Sequence, residues 1–390
     1  DGSMPTDDGR ITIVDVGTAP ASDLVFNTTP GIDTTLSVAS IKAALESGNL
    51  ILQSNNDFIL DPGNDILVSN AGSGGSLTIK VGRSVILNSN IFTDNGDLTI
   101  IANETLANGV STADRDPGAA LITMAPGTMI DAGTGIVEID LRDGAGRTGS
   151  QALAGMITLA DINANTLTLA GGMVDGTGTI TANVNNTGAT LAPGASPGTL
   201  TINGNYVQGA NGILEIELGG LTQGVSYDLL SITGTATLDG TLDLVLFGGF
   251  TESPGDQFNI IDSSAVINDF ATINSPFSES FLALPDTPST GIYQIEITSA
   301  PIIVTPPPPP PPEPPPPPPP EPPPEPPPPP ESALPTVEPD EQTIDISTDQ
   351  IIVLSEYQEE FNENYIDLFD DTESPFPLSE EEEERELVCR

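Results

Sequence analysis

The 390-residue sequence has no histidine, a single cysteine and only nine lysine and arginine residues. Without histidine there is no Ser-His-Asp or Cys-His catalytic arrangement, and the commonest zinc ligand is missing. The one cysteine, Cys389, sits beside the last residue, so there is no disulfide framework and no C-x-x-C metal or redox motif. Set against 56 Asp and Glu, the few basic residues leave a formal charge of −47. Such a field repels phosphate backbones and anionic lipid headgroups, which excludes nucleic acid as a partner and fits an extracellular setting. No apolar run approaches the roughly 18 residues that a spanning helix needs, so no self-inserted membrane segment is expected. The first residues, Asp1-Gly2-Ser3-Met4, have neither a basic nor an apolar leader region. We therefore expect a fragment or processed product whose targeting signal lies upstream.

What the sequence does have is glycine, proline and a short repeat. Proline clusters so heavily after Val304 that only about the first 300 residues can build a packed core. Between about Gly48 and Gly248 a Gly, Asn or Asp turn is followed by three to five residues that alternate apolar with Thr or Ser, and then another turn. Asn49-Leu50-Ile51-Leu52, Ser76-Leu77-Thr78-Ile79, Asp97-Leu98-Thr99-Ile100, Ile136-Val137-Glu138-Ile139, Met156-Ile157-Thr158-Leu159, Thr199-Leu200-Thr201-Ile202 and Thr241-Leu242-Asp243-Leu244 are instances. Their starts fall roughly 20 residues apart or about twice that, the length of a solenoid coil. Strands this short cannot each bury a face alone, whereas stacked equivalents form a continuous interior with Leu, Ile and Val inside and Thr outside. Asn-Gly, Asp-Gly and Gly-Gly corners supply the positive φ of the bends. A β-sandwich is the alternative reading of the same strands.

The texture changes toward the C-terminus. Tyr206, Tyr227, Phe247, Phe250, Phe258, Phe270, Phe277, Phe281 and Tyr293 bring aromatic bulk suited to closing an open solenoid end. From Thr305 a proline run interrupted by Glu313, Glu321, Glu325 and Glu331 reads as a polyproline II spacer. At about 3.1 Å per residue, Pro306 to Pro330 would reach about 75 Å. Beyond it Ile351, Leu354, Tyr357, Phe361, Tyr365 and Phe369 fall near helical spacing on one face of an acidic segment. Leu354, Tyr357, Phe361 and Tyr365 are its candidate interaction residues, with a disordered tail as the alternative.

Carboxylates are the only candidates for chemistry. Asp61 with Asp65, Asp114 with Asp116, and Asp140 with Asp143 are the pairs that a polysaccharide-active enzyme would need, yet Asp is also a stock corner residue that bonds nearby backbone. Arg83, Arg115, Arg142 and Arg147 stand near them in a spacing that does not follow the repeat. Calcium is a possible ligand of loop carboxylates Asp57, Asp61, Asp65, Asp94 and Asp97, although none matches the nonapeptide or EF-hand spacing. Asn27, Asn103 and Asn185 begin N-x-S/T sequons. No catalytic or cofactor-binding residue is assigned, and an enzyme is not expected.

Two stretches resemble known families. Gly48-Asn49-Leu50-Ile51-Leu52, Gly75-Ser76-Leu77-Thr78-Ile79, Ser84-Val85-Ile86-Leu87-Asn88 and Gly96-Asp97-Leu98-Thr99-Ile100, within residues 41–107, resemble the β-helical repeats of filamentous-haemagglutinin-like proteins, the exported partners of two-partner secretion. Residues 188–206, with Leu191-Ala192-Pro193-Gly194 and Ser196-Pro197-Gly198-Thr199-Leu200, are similar to the end module of autotransporter passenger domains, as are Leu214-Glu215-Ile216, Tyr227-Asp228-Leu229 and Pro254-Gly255-Asp256-Gln257-Phe258. The membrane barrel of autotransporters does not follow, which suits export through a separate pore.

The resemblance implies an all-β chain built as a right-handed parallel β-helix. Residues 1–40 form a lead-in, 41–187 the repeats, 188–300 an aromatic-rich cap module, 301–335 the linker and 336–390 the acidic tail with a short helix at 350–370. It further implies a secreted, outer-membrane-associated adhesin. Its partners would be a two-partner-type outer-membrane transporter during export, and host or environmental glycans or surface proteins. A polysaccharide lyase or glycosidase, and a scaffold acting through the acidic tail, are the competing functions.

Overall fold

A computed structural model describes residues 9–18, 24–26, 31–149, 153–277, 280–285 and 290–298. The proline linker, the acidic tail, Leu354, Tyr357, Phe361, Tyr365 and Cys389 lie outside the described residues. The chain is mostly β, organised as an 11-stranded and a 17-stranded sheet whose neighbours pair almost entirely in parallel. Apart from Ile11–Val14 with Thr34–Ser37 and Ser280–Leu284 with Ile292–Thr298, the strands hydrogen-bond not to their sequence neighbours but to a strand one layer further on, as parallel ladders require.

Three long in-register columns carry much of the interior, beside shorter ones such as Leu52, Ile79, Ile100, Ile139 and Leu169. In the 11-stranded sheet Ile11, Phe58, Val85, Ile122, Ile157, Val174, Leu191, Leu214, Leu242 and Ile273 face one another in succession. In the larger sheet one column runs Leu50, Leu77, Leu98, Val137, Leu167, Val184, Tyr206, Ala236 and Val266. The other is isoleucine throughout: Ile66, Ile91, Ile130, Ile162, Ile180, Ile202 and Ile232. Those isoleucines are at most 4% exposed. The outward positions between them hold Thr78, Thr99, Glu138 and Thr168, so the alternation read in the sequence is the alternation of inside and outside.

The interval between layers is less regular than the repeat suggests. Along the second column it ranges from 17 residues (Leu167 to Val184) to 39 (Leu98 to Val137), because the corners vary while the strands keep register. Corners use positive φ as expected at Gly172 (+90°) and Gly240 (+64°), but at the Asp94-Asn95-Gly96 bend it is Asp94 and Asn95 that adopt it. Both are residue types that tolerate this region.

Two further features correct the sequence reading. Residues 38–47, placed across the lead-in and the first β repeat, form a helix, Val38–Ser47. Ser37 caps it by accepting from Ser40 N, and Ile41 and Leu45, spaced i,i+4, are fully buried. Strand Ile66–Leu67 pairs only with Ile91–Phe92, and the helix packs against its other side. Tyr206, counted with the terminal aromatics, is a member of the second core column; its hydroxyl donates to Gln208 Oε1 at 2.8 Å.

Parallel pairing ends where the other aromatics gather. Strand Ile292–Thr298 runs antiparallel to both Gln257–Asp262 and Ser280–Leu284. Edge-to-face contacts join Tyr227 to Phe258, Phe250 to Phe258 and Phe270 to Tyr293.

The Pro-Gly corner at residues 193–198 is tied to the next layer by Asp228, which is 1% exposed. Its two oxygens accept from Gly198 N at 2.7 Å and Glu217 N at 2.8 Å. Burial pushes this carboxyl up to about 7, and the charges of Glu217 and Glu215 push the same way against the two backbone bonds.

Truncating a column residue should leave an internal cavity: Ile130→Ala is expected to cost about 2–5 kcal/mol in urea unfolding, against about 0.5 kcal/mol or less for the outward Thr168→Ala. For Asp228, a folded pKa above the unfolded one means that the native state binds the extra proton between pH 4 and 7. Its contribution to stability is therefore present at low pH and declines as pH rises through about 7. The stability advantage of wild type over Asp228→Asn, measured by unfolding at pH 5 and 8, should be larger at pH 5.

Candidate functional site

The charged residues that look scattered in the sequence meet at one corner of the stack. Four successive layers turn there, through residues 55–57, 82–84, 103–119 and 142–149, between strands held in register on either side. The last two turns are long insertions, and the first of them accounts for the widest interval between layers, Leu98 to Val137. Arg10, Arg83, Arg115, Arg142 and Arg147 gather in this region, five of the nine basic residues of the chain.

Asp57 is the anchor of one half. Its side chain is 2% exposed and receives Arg83 Nε at 2.8 Å, Arg83 Nη2 at 2.5 Å and Ser84 N at 3.0 Å, a two-pronged guanidinium grip. Arg10 Nε lies 3.6 Å from the same carboxylate. Asp116 reaches back from the long insertion, where its Oδ2 accepts from Asn56 Nδ2 at 2.9 Å and stands 3.3 Å from Arg10 Nη2 and from Arg83 Nη2. Glu104, 1% exposed, anchors the other half: it takes Arg142 Nη1, Thr105 N at 2.8 Å and Asn108 Nδ2 at 2.7 Å. Arg142 Nε also donates to Asp140 at 2.8 Å.

Arg115 and Arg147 tie backbone rather than carboxylates. Arg115 donates to the carbonyls of Gly82 and Asp116, and Arg147 to that of Glu104, while both reach Asn103 Oδ1. Burial pulls Arg115 down to about 10, with Arg147 and Arg83 adding repulsion. Burial also lowers Arg147. For Arg142 burial is outweighed by its bonds to Asp140 and Glu104, and its guanidinium is raised. Guanidinium groups stay charged throughout this range, so the corner is a fixed ionic clamp.

One groove opens beside the clamp, about 420 Å³ in volume and lined by Asp140, Leu141, Arg142, Asp143, Ala154, Gly171, Gly172 and Gly188. A Cβ on Gly171 would come within 2.7 Å of Asp140 Oδ1, so glycine leaves the space that the carboxylate overlooks. Asp143 Oδ1 meanwhile accepts from Ala145 N at 3.0 Å. Of the carboxylate pairs considered for chemistry, Asp140 and Asp143 thus share a groove with an arginine between them. Asp140 stands within strand Ile136–Leu141 and not in a corner. Asp116 is a partner of the clamp, not a turn residue bonding its own backbone.

Four of the five carboxylates considered for calcium, all but Asp61, are engaged with their surroundings. Asp57 holds Arg83. Asp65 accepts from Asn90 N and Nδ2, Asp94 from Asn70 N and Gly72 N, and Asp97 from Ile136 N. Asp61 contributes its backbone carbonyl to Ser89 Oγ and Asn64 N. Among the described residues no three His, Cys, Asp or Glu side chains come together in a way that would hold a metal ion. Of the sequons, Asn103 is fully buried within the clamp, Asn185 is half-buried on a strand, and Asn27 lies outside the described residues.

Comparison with protein-family models and with curated proteins finds no match. Sequence reasoning missed the clamp because its members come from turns up to 106 residues apart, as in Arg10 with Asp116. The available signal was compositional: five of nine cations are the arginines at 10, 83, 115, 142 and 147, three of them within the long corners.

Removing one member of a buried ion pair strands the other. Asp57→Ala is therefore expected to cost about 3–5 kcal/mol in chemical unfolding, and added salt should restore little of it because the pair is shielded from solvent. Loss of less than about 1 kcal/mol, the size of an exposed pair, would contradict the role of Asp57 as an anchor.

Proposed function

We propose that the chain is a stretch of a secreted bacterial cell-surface protein, structural or adhesive, of the filamentous-haemagglutinin-like kind. In this reading the described residues form a right-handed parallel β-helix closed at its C-terminal end by the aromatic-rich module, and the stack holds binding surfaces away from the cell. The observation that carries the proposal is the set of three in-register buried columns. A chain that stacks the same three positions layer after layer gains length in one direction, with each layer supported by its neighbours, which is what a stalk requires. The resemblance of residues 41–107 and 188–258 to exported β-helical proteins supports the same reading, and so does the charge of −47. Export would use a separate outer-membrane transporter of the two-partner type, and contacts would be to glycans or surface proteins.

The groove at Asp140, Arg142 and Asp143 favours one second reading, a polysaccharide-active enzyme, since paired carboxylates beside a cation can serve glycosidic cleavage. The clamp weighs against it: Arg142 and Asp140 are bonded to each other and Arg142 to Glu104, which spends their charges on structure.

Antibodies raised against residues 31–298 are expected to label intact cells of the producing bacterium, and deletion of its two-partner-type transporter should abolish that labelling. Labelling only after permeabilisation would overturn the surface assignment. Turnover of any polysaccharide that is lost in Asp140→Asn would favour the enzyme instead.

A further inference from the structure

We propose that the uncharged corner formed by residues 218–227 and 245–251 is a contact site for a zwitterionic lipid bilayer, into whose interfacial region Leu221, Val225 and Phe247 insert. It is a peripheral contact of loop side chains, not a span, and it stands independently of the export reading.

The two turns leave adjacent strands of the 11-stranded sheet, Ile213–Leu218 and Thr241–Leu246, whose last residues are in register. Phe247 N donates to Leu218 O at 2.9 Å, and a Cβ on Gly219 would come within 3.1 Å of the Phe247 ring, so the turns share one surface. On it Val225 is 69% exposed, Leu221 57% and Phe247 39%. Both turns are held by their own hydrogen bonds. Gly219 N donates to Ser226 O, Ser226 N to Thr222 O and Gly224 N to Tyr227 O, which closes the first. Phe250 N donates to Phe247 O across Gly248 and Gly249, whose φ of +60° and +78° close the second. A Cβ on either of these glycines would meet nothing within 4 Å, so this turn projects from the stack. At its base Phe250 and Tyr227 both make edge-to-face contacts with Phe258. The apolar side chains are thus presented in place, and inserting them carries little ordering cost.

What such a surface selects follows from its charge. The chain carries −47, yet residues 218–227 and 245–251 contain no Asp, Glu, Lys or Arg. Of the acidic residues that border them in sequence, Asp228 and Glu252 are buried, and Glu217 accepts from Ser196 Oγ at 2.6 Å. Gln223, the longest polar side chain of the corner, donates to Asn259 O at 3.1 Å. A protein partner is held by hydrogen bonds and charge complementarity as well as by apolar area, and this corner offers no charge and few free polar groups. A second copy would bring another charge of −47 to the contact. A bilayer, by contrast, takes up apolar side chains at the boundary of headgroups and acyl chains and needs no ion pair. An anionic leaflet repels this chain, whereas a zwitterionic one does not. Three exposed apolar side chains with Thr222, Gln223 and Thr251 around them, all uncharged, match that neutral surface.

The chain has no tryptophan, so Phe247→Trp gives the full chain a single fluorescent reporter at the corner. Its emission should shift to the blue when phosphatidylcholine vesicles are added, and brominated acyl chains should quench it. The same reporter in Thr168→Trp, on an outward column of the stack, should do neither. In vesicle flotation wild type should bind phosphatidylcholine and bind phosphatidylglycerol less. The double variant Leu221→Ser, Val225→Ser should weaken phosphatidylcholine binding at least about tenfold. Both positions are exposed, and far-UV circular dichroism verifies that every variant is folded. No shift or no quenching with phosphatidylcholine, or unchanged flotation of the double variant, overturns the proposal. So does binding confined to phosphatidylglycerol. A shift that follows protein concentration without lipid assigns the corner to contact between copies and overturns it as well. None of these outcomes touches the surface assignment, which labelling of intact cells decides by itself.

Discussion

Parallel, in-register contact between equivalent apolar side chains of successive layers is the interaction on which everything else in this chain depends. Apart from Asp161–Gly171 and Thr179–Asn186 the strands are short: most span three to six residues, and Ile66–Leu67, Ile91–Phe92 and Thr190–Leu191 only two. Alone, such strands would neither bury a face nor satisfy their backbone. Stacked, the interior strands of each sheet receive hydrogen bonds from both sides, and their inward residues join a column continued above and below. The all-isoleucine column shows the selection most clearly, since a β-branched side chain in a strand has few rotamers and nests against an identical neighbour.

Once the columns fix the strands, the corners become free to differ, and the functional surface is built there. Where corners are short, glycine and positive-φ Asp or Asn suffice. Where they are long, at residues 103–119 and from residue 142 to 149, the chain must satisfy many backbone groups away from the sheet ladders. The arginine clamp does that work, with Arg115 and Arg147 bonding carbonyls and Asp57, Asp116 and Glu104 balancing the charge. Such a network is stabilising only when every member is present, which makes it a means of fixing the shape of the insertions more than a source of stability. The groove at Asp140 opens beside these insertions, so Arg142 and Asp140 of the clamp also form part of its wall.

Much of the stack could be read from residues alone because its signal is local. Alternation at Leu77-Thr78-Ile79 or Leu98-Thr99-Ile100 states which side chains face inward, and turn residues state where the direction changes. Three things could not be read in that way. The layer interval varies with corner length, which alternation does not encode. Helix Val38–Ser47 carries an apolar i,i+4 pair, Ile41 and Leu45, beside three alanines, a pattern hidden by its place at the start of the repeats. The clamp and the groove beside it depend on which layers become neighbours, and pairings such as Arg10 with Asp116 become visible only when the register is known.

Distances between spin labels on the outward positions test the stacking itself. With Cys389→Ser as background, labels at Thr78 paired in turn with Asn185 and Thr237 sit on one outward column, four and six layers apart. The expected separations are about 19 Å and about 29 Å, a steady rise of about 4.8 Å per layer. Equal separations, or a shorter distance to Thr237 than to Asn185, would mean that the strands fold back on one another as in a sandwich, and would contradict the account.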